Sequence, residues 1–140
     1  MTGSFHRNIN YTQANTQQIV SLIKASKNCE QFIKYECRHS ALLWHGLAYG
    51  WWVSRDGQKM DYWGGAAPGS WKCACGMTKT CPAGRGCNCD VNDAVWREDS
   101  GVLNDKSTLP VSQLRFGDTG DPRLETGYYT LGKFRCYGIQ

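Results

Sequence analysis

Lys72-Cys73-Ala74-Cys75-Gly76, followed by Cys81 and then Cys87-Asn88-Cys89-Asp90, decides how this chain is read. Five of the eight cysteines fall here, as two Cys-x-Cys pairs and one single cysteine in a loop rich in Gly, Pro and Thr. Such a loop has almost nothing apolar to bury, so covalent bonds or a metal must offset the entropy of ordering it. Zinc sites space their thiolates by two to four residues, often beside a His pair. Both close pairs here leave a single intervening residue, and His6, His39 and His45 stand far upstream at no matching spacing. Disulfides are therefore expected among Cys29, Cys37, Cys73, Cys75, Cys81, Cys87, Cys89 and Cys136. An oxidising, extracellular setting follows. The connectivity does not follow, because eight cysteines allow roughly a hundred pairings. In a strand, the two thiols of a Cys-x-Cys pair share a side. Each pair is then expected to bridge outward to two other segments, with a bond between chains left open.

Outward from this loop, the chain reads as one domain over residues 1–140, long enough to bury a core that the disulfides supplement. The net charge of +4 is mild, and Lys and Arg form neither a run nor a helical stripe. Nucleic-acid partners are not expected on that basis. Membrane insertion is not expected either, since no apolar run approaches the length of a span. Met1-Thr2-Gly3-Ser4 is polar and lacks the character of a leader, so the chain reads as a mature secreted protein or an excised ectodomain. Asn10-Tyr11-Thr12 is a glycosylation sequon.

In chain order, residues 5–14 alternate loosely and predict an edge strand. Asn15 or Thr16 caps a helix whose Ile19, Leu22 and Ile23 form one buried stripe, ending at Ser26-Lys27-Asn28. Residues 30–37 alternate as a strand, with Cys29 and Cys37 at its ends. Leu42-Leu43-Trp44 enters the core. Arg55-Asp56-Gly57-Gln58 between Tyr49–Ser54 and Lys59–Trp63 predicts a β-hairpin. Trp51, Trp52 and Trp63 read as core and cross-strand packing. Asn92–Asp99 reads as one or two helical turns stopped by Gly101, and Leu109–Phe116 and Tyr128–Tyr137 as two closing strands, the second returning Cys136 to the sheet.

Several runs carry a family resemblance. They are Tyr49-x-Trp51-Trp52-Val53, Tyr62-Trp63-Gly64-Gly65, Pro68-Gly69, Lys72-Cys73-Ala74-Cys75-Gly76 and Cys87-Asn88-Cys89-Asp90. Trp96, Leu109-Pro110-Val111-x-Gln113 and Gly117-Asp118-Thr119 follow. Upstream, Cys29-Glu30-Gln31 and Tyr35-x-Cys37 fit the same pattern, as does Leu131-Gly132 before Cys136. Together they resemble the fibrinogen-like domain of contactin-associated proteins (the neurexin IV type), over nearly the whole chain. The resemblance implies an α+β fold, mainly antiparallel β: a truncated, disulfide-stapled relative of the fibrinogen C-terminal domain. It also implies an extracellular recognition module without catalytic residues. The contactin-associated proteins embed this domain among other modules and anchor it in a membrane, whereas this chain is expected to act as a free domain. Free fibrinogen-like domains such as ficolins bind sugars beside or through calcium, an analogy at fold level only.

The residues offer a direct reading of such a lectin site. Sugars need an aromatic face and carboxylates or amides for the hydroxyls. Calcium takes about six to eight oxygen ligands. The oxygen-richest segment runs from Asp90 to Asp105. Asp90, Asn92, Asp93, Asp99 and Asp105 form the expected metal set. Asp93, Glu98, Asn104 and Asp105, with Trp71 and Tyr128 as stacking faces, form the expected sugar set. Tyr129 is an alternative stacking face, and Asp118 with Asp121 a weaker acidic pair. The same acids are also what a solvated surface carries. Ser-His-Asp spacing, an activated cysteine and a phosphate-cradling loop are all missing, so an enzyme is not expected. Two functions stand side by side. One is a secreted, calcium-assisted lectin, dimeric to gain avidity, for terminal galactose on glycoproteins or glycolipids. The other is an adhesion module that binds a cell-surface protein.

Overall fold

A computed structural model describes residues 5–11, 14–44, 47–117 and 126–139. Strand β1 (Phe5–Asn8) leads to helix α1 (Thr16–Ala25). Asn15 caps the helix in a full capping box: its Oδ1 accepts from Gln18 N at 2.9 Å, and Gln18 Oε1 accepts from Asn15 N at 2.9 Å. The helix lies against the first half of β2 (Ser26–Arg38) and buries Ile23, while Leu22 of the expected stripe faces solvent.

β2 organises the molecule. Its thirteen residues pair with three other strands, all antiparallel. Residues Ser26–Glu30 pair with β7 (Arg135–Ile139), and residues Gln31–Arg38 lie between β4 (Arg97–Leu103) and β6 (Thr126–Leu131). A second sheet has the order β1-β5-β3, with β3 at Gly50–Val53 and β5 at Gln113–Phe116. The described architecture is thus mainly antiparallel β with two helices, α1 and the single-turn α2 (Ala74–Thr78), as expected.

The sheets share one core. Ile33, Tyr35 and Cys37 come from β2, Leu103 from β4, Trp52 from β3, and Leu114 and Phe116 from β5. Tyr35 and Phe116 stack at 4.4 Å between centroids, only 7° from parallel, and so join the two sheets. Trp52 and Trp63 are fully buried and satisfied: their indole N–H groups donate to the carbonyls of Tyr62 (2.7 Å) and Asp99 (2.9 Å). Trp51 lies on the other face of β3, under the Lys59 ammonium at 4.0 Å. Leu42 and Leu43 enter the core as expected.

Five expectations are corrected. The Asp56-Gly57 turn forms, with Gly57 at φ 86, but Lys59–Trp63 adds only a bridge at Lys59 and the main partner of β3 is β5. Residues 92–99 do not form helical turns: a 3₁₀ turn at Cys89–Val91 is followed directly by β4. Gly101 sits inside that strand because a Cβ there would run into the backbone of Gly64. Residues 128–137 split into β6 and β7. Of the closing segment 109–116, only Gln113–Phe116 is a strand, after the cis Leu109–Pro110 bond.

The fifth correction concerns connectivity. All eight cysteines pair within the chain, as Cys29–Cys136, Cys37–Cys89, Cys73–Cys87 and Cys75–Cys81. The Cys-x-Cys pairs do not each bridge outward. Cys73 caps α2 and is not in a strand, and the two pairs join each other through Cys73–Cys87. Cys75–Cys81 closes the loop on itself, and only Cys37–Cys89 ties it to β2.

Candidate functional site

Buried carboxylates hold the cysteine loop in place. Asp99, on β4 opposite Tyr35, points inward and is 3% exposed. Its Oδ1 accepts from Asn88 N (2.9 Å) and its Oδ2 from Cys89 N (2.8 Å), so one side chain satisfies two loop amides. Burial pushes its pKa up to about 6, against the pull of those two amides. Asp90 Oδ1 accepts from Leu42 N (2.8 Å) and Leu43 N (3.0 Å), fixing the segment after β2.

The remaining expected ligands are engaged elsewhere. Asp93 receives a two-pronged contact from Arg97, Nε to Oδ1 at 3.1 Å and Nη2 to Oδ2 at 2.9 Å. That hydrogen bond to Arg97 holds its carboxyl below the usual range. Asn92 adopts the left-handed conformation at φ 58, its carbonyl 3.3 Å from the His39 ring. Asp105 closes an Asx turn, with Oδ1 accepting from Ser107 N (3.0 Å) and Ser107 Oγ (2.7 Å). Asn104 is exposed beside it.

The structure does not bring the metal set together. Asp93 precedes β4 and Asp105 follows it, and at about 3.3 Å per residue that strand separates them by on the order of 20 Å. Among the described residues, the one group of three metal-ligating side chains with atoms within 4.8 Å of one another is Cys73, Cys87 and Asp99, whose two sulfurs are joined in a disulfide. The sugar set is likewise split. Glu98 and Tyr128 share a sheet face, Asn104 and Asp105 lie at the far end of β4, and Trp71 lies beside the cysteine loop at φ 56. Tyr129 turns inward and stacks on Phe116 at 5.9 Å. Asp118, Asp121, His45 and the sequon's Thr12 lie outside the described residues.

What the fold does assemble is the outer face of the sheet β4-β2-β6. The inward residues of β2 are buried, and the alternate ones, Phe32, Lys34, Glu36 and Arg38, face out. Register places Glu98 and Tyr128 on either side of Glu36, and Val102 beside Phe32. Trp96, one residue before β4, stacks on Tyr128 at 5.7 Å and 16°, and the Arg38 guanidinium covers the Trp96 ring at 5.2 Å. Trp96 is 47% and Tyr128 60% exposed. An open groove of about 510 Å³ runs along this face. Lys34 lies within it, 3.2 Å from Glu36 and 3.8 Å from Glu98. Tyr128 and Glu98 were expected at a site. Trp96, Arg38, Lys34 and Glu36 were not, because the reading of residues 92–99 as helical turns hid that this segment pairs with β2 and brings Trp96 and Glu98 to its outer face.

No family model matches the chain. Neurexin-4 of Drosophila melanogaster is 45% identical over 144 residues, which cover 97% of this chain and 11% of that protein. Contactin-associated protein 1 of Homo sapiens, like that of Rattus norvegicus, is 40% identical over 134 residues, 93% of this chain and 10% of that protein. The chain therefore spans about a tenth of the length of the curated relatives it matches. Over nearly all of its own length it is homologous to one segment of neurexin-4 and of contactin-associated protein 1.

Proposed function

We propose that this chain is a non-catalytic extracellular adhesion module that binds a cell-surface protein through the outer face of β4-β2-β6. The observation that carries the reading is the exposed Trp96–Tyr128 stack under Arg38. Trp, Tyr and Arg dominate the energetics of protein interfaces, because each brings a large contact area at little entropic cost. Phe32 and Val102 extend the apolar surface, and the Lys34–Glu36–Glu98 cluster supplies paired charges for register. Four disulfides suit an oxidising compartment. The fold is best read as a truncated fibrinogen-like domain of the contactin-associated type.

By its name, contactin-associated protein 1 associates with contactin, which makes a contactin ectodomain the first partner to try. The calcium-assisted galactose lectin finds no support, since the acids it needs lie apart and are engaged in holding turns and loops. The deciding experiment immobilises a contactin ectodomain and measures binding of the purified chain in calcium, in EDTA, and after enzymatic deglycosylation. Binding is expected to survive both treatments and to weaken by about tenfold or more in Trp96→Ala and Tyr128→Ala, as for interface anchors. Loss on chelation or deglycosylation would instead restore the lectin. Retained binding in both variants would move the contact off this face.

A further inference from the structure

The cysteine loop carries a second surface unlike the first. A groove of about 370 Å³ is lined by Lys72, Lys79 and Arg85 over Gly76, Gly84 and Gly86. Among the described residues, no carboxylate and no large apolar side chain lines it. Among the described residues, none of the three cations makes an ion pair, and Arg85 Nε is buried without a hydrogen-bond partner. The glycines have a specific use. A Cβ on Gly76 would fall 2.9 Å from Lys72 Cβ and 3.1 Å from its Cγ, so the lysine stem lies directly over that glycine. Gly86 lies under the same stem, with Lys72 Cγ 3.7 Å from the position a Cβ would take. Arg85 is held on its other side by the Trp44 ring, 5.8 Å from the guanidinium. Cys73–Cys87 and Cys75–Cys81 brace the loop that carries all three.

We propose that this groove binds the sulfate groups of an extracellular sulfated polysaccharide. Three uncompensated cations around a glycine floor repel one another, and a multivalent anion relieves that repulsion. The disulfides hold the cations in position before binding, which lowers the ordering cost. A sulfated chain is favoured over an acidic peptide because the described lining offers no large apolar or aromatic side chain for peptide anchors. Two of the cations are ammoniums, compact point charges without the planar fork that selects a carboxylate.

The test titrates a heparin hexasaccharide into the purified protein, with N,O-desulfated heparin and polyglutamate as comparison ligands. Lys72→Glu/Lys79→Glu is set against Lys24→Glu/Lys133→Glu, which changes net charge equally on exposed positions elsewhere. The first pair is expected to weaken heparin binding by about tenfold or more and the second by less than about twofold, with a shallower salt dependence only in the first. Lys72→Gln/Lys79→Gln, which adds no negative charge, should reproduce the loss with unchanged thermal unfolding. Trp96→Ala should leave heparin binding intact, which separates this site from the sheet face. Equal losses in both charge-reversal pairs would reduce the effect to diffuse attraction and overturn the proposal. So would equal binding of desulfated heparin, or polyglutamate binding as tight as that of the hexasaccharide.

Discussion

Tyr35 and Glu36 are neighbours in sequence and opposites in role. Tyr35 is buried, stacked on Phe116, and within 2.5 Å of Ser40 Oγ through its hydroxyl. Glu36 stands on the other face of the same strand, paired loosely with Lys34 beside an exposed aromatic stack. The contrast extends along β2. Its inner face joins two sheets and a disulfide loop, so any change there is felt by several elements. Its outer face is covered by no other described element, so its residues are free to serve contact with a partner.

The sharpest test of that contrast is truncation on each face. Tyr35→Ala should cost about 3–5 kcal/mol in urea unfolding, the range for removing a buried aromatic ring, whereas Glu36→Ala should stay within about 0.5 kcal/mol. Comparable losses at both positions would erase the distinction between faces. Next in size is the tie between β2 and the cysteine loop. Cys37→Ser/Cys89→Ser should lower stability by about 2–4 kcal/mol, since the bond closes a separation of 52 residues. Normal partner binding by that variant at low temperature would confirm that the outer face does not depend on the loop.

A third test uses pH. Burial raises the Asp99 carboxyl to about 6 from its ordinary 3.8. Between these values the folded chain holds a proton that the unfolded chain has released, so stability falls as pH rises through the window and levels off above it. The fall attributable to Asp99 is on the order of 2–3 kcal/mol, at about 1.4 kcal/mol per unit. Unfolding midpoints measured from pH 4 to pH 7 should show it, and Asp99→Asn should flatten it. A variant with an unchanged profile would take Asp99 out of the account. The smallest expected effect is on the outer face. Trp96→Ala should cost about 1 kcal/mol or less of stability, the worth of an exposed aromatic stack, while weakening partner binding. A larger stability loss would mean that Trp96 is packing and not contact surface.

Periodicity was a good guide where one element satisfied itself. The capping box at Asn15 and Gln18, the alternation along β2 and the Asp56-Gly57 turn are local features, and all of them form. It failed where the partner was distant. Lys59–Trp63 lost its place beside β3 because β5, about sixty residues further on, supplies a longer ladder. Arg97–Leu103 became a strand because β2 was available to pair with it, against a local pattern that suits helical turns. The acids followed the same rule. As a list, Asp90, Asp93, Asp99 and Asp105 suggested one metal site, but their partners proved to be separate groups: the amides of Leu42 and Leu43, Arg97, the amides of Asn88 and Cys89, and Ser107.

The sequence by itself determined the cross-linked, mainly antiparallel character of the chain. Eight cysteines in a glycine-rich setting with alternating aromatic runs leave few other outcomes. The tertiary structure alone decided which cysteines pair, which acids are structural, and that Trp96, Tyr128 and Arg38 meet. Those outcomes depend on register between strands far apart in the chain, and register is set by how a whole sheet face buries itself.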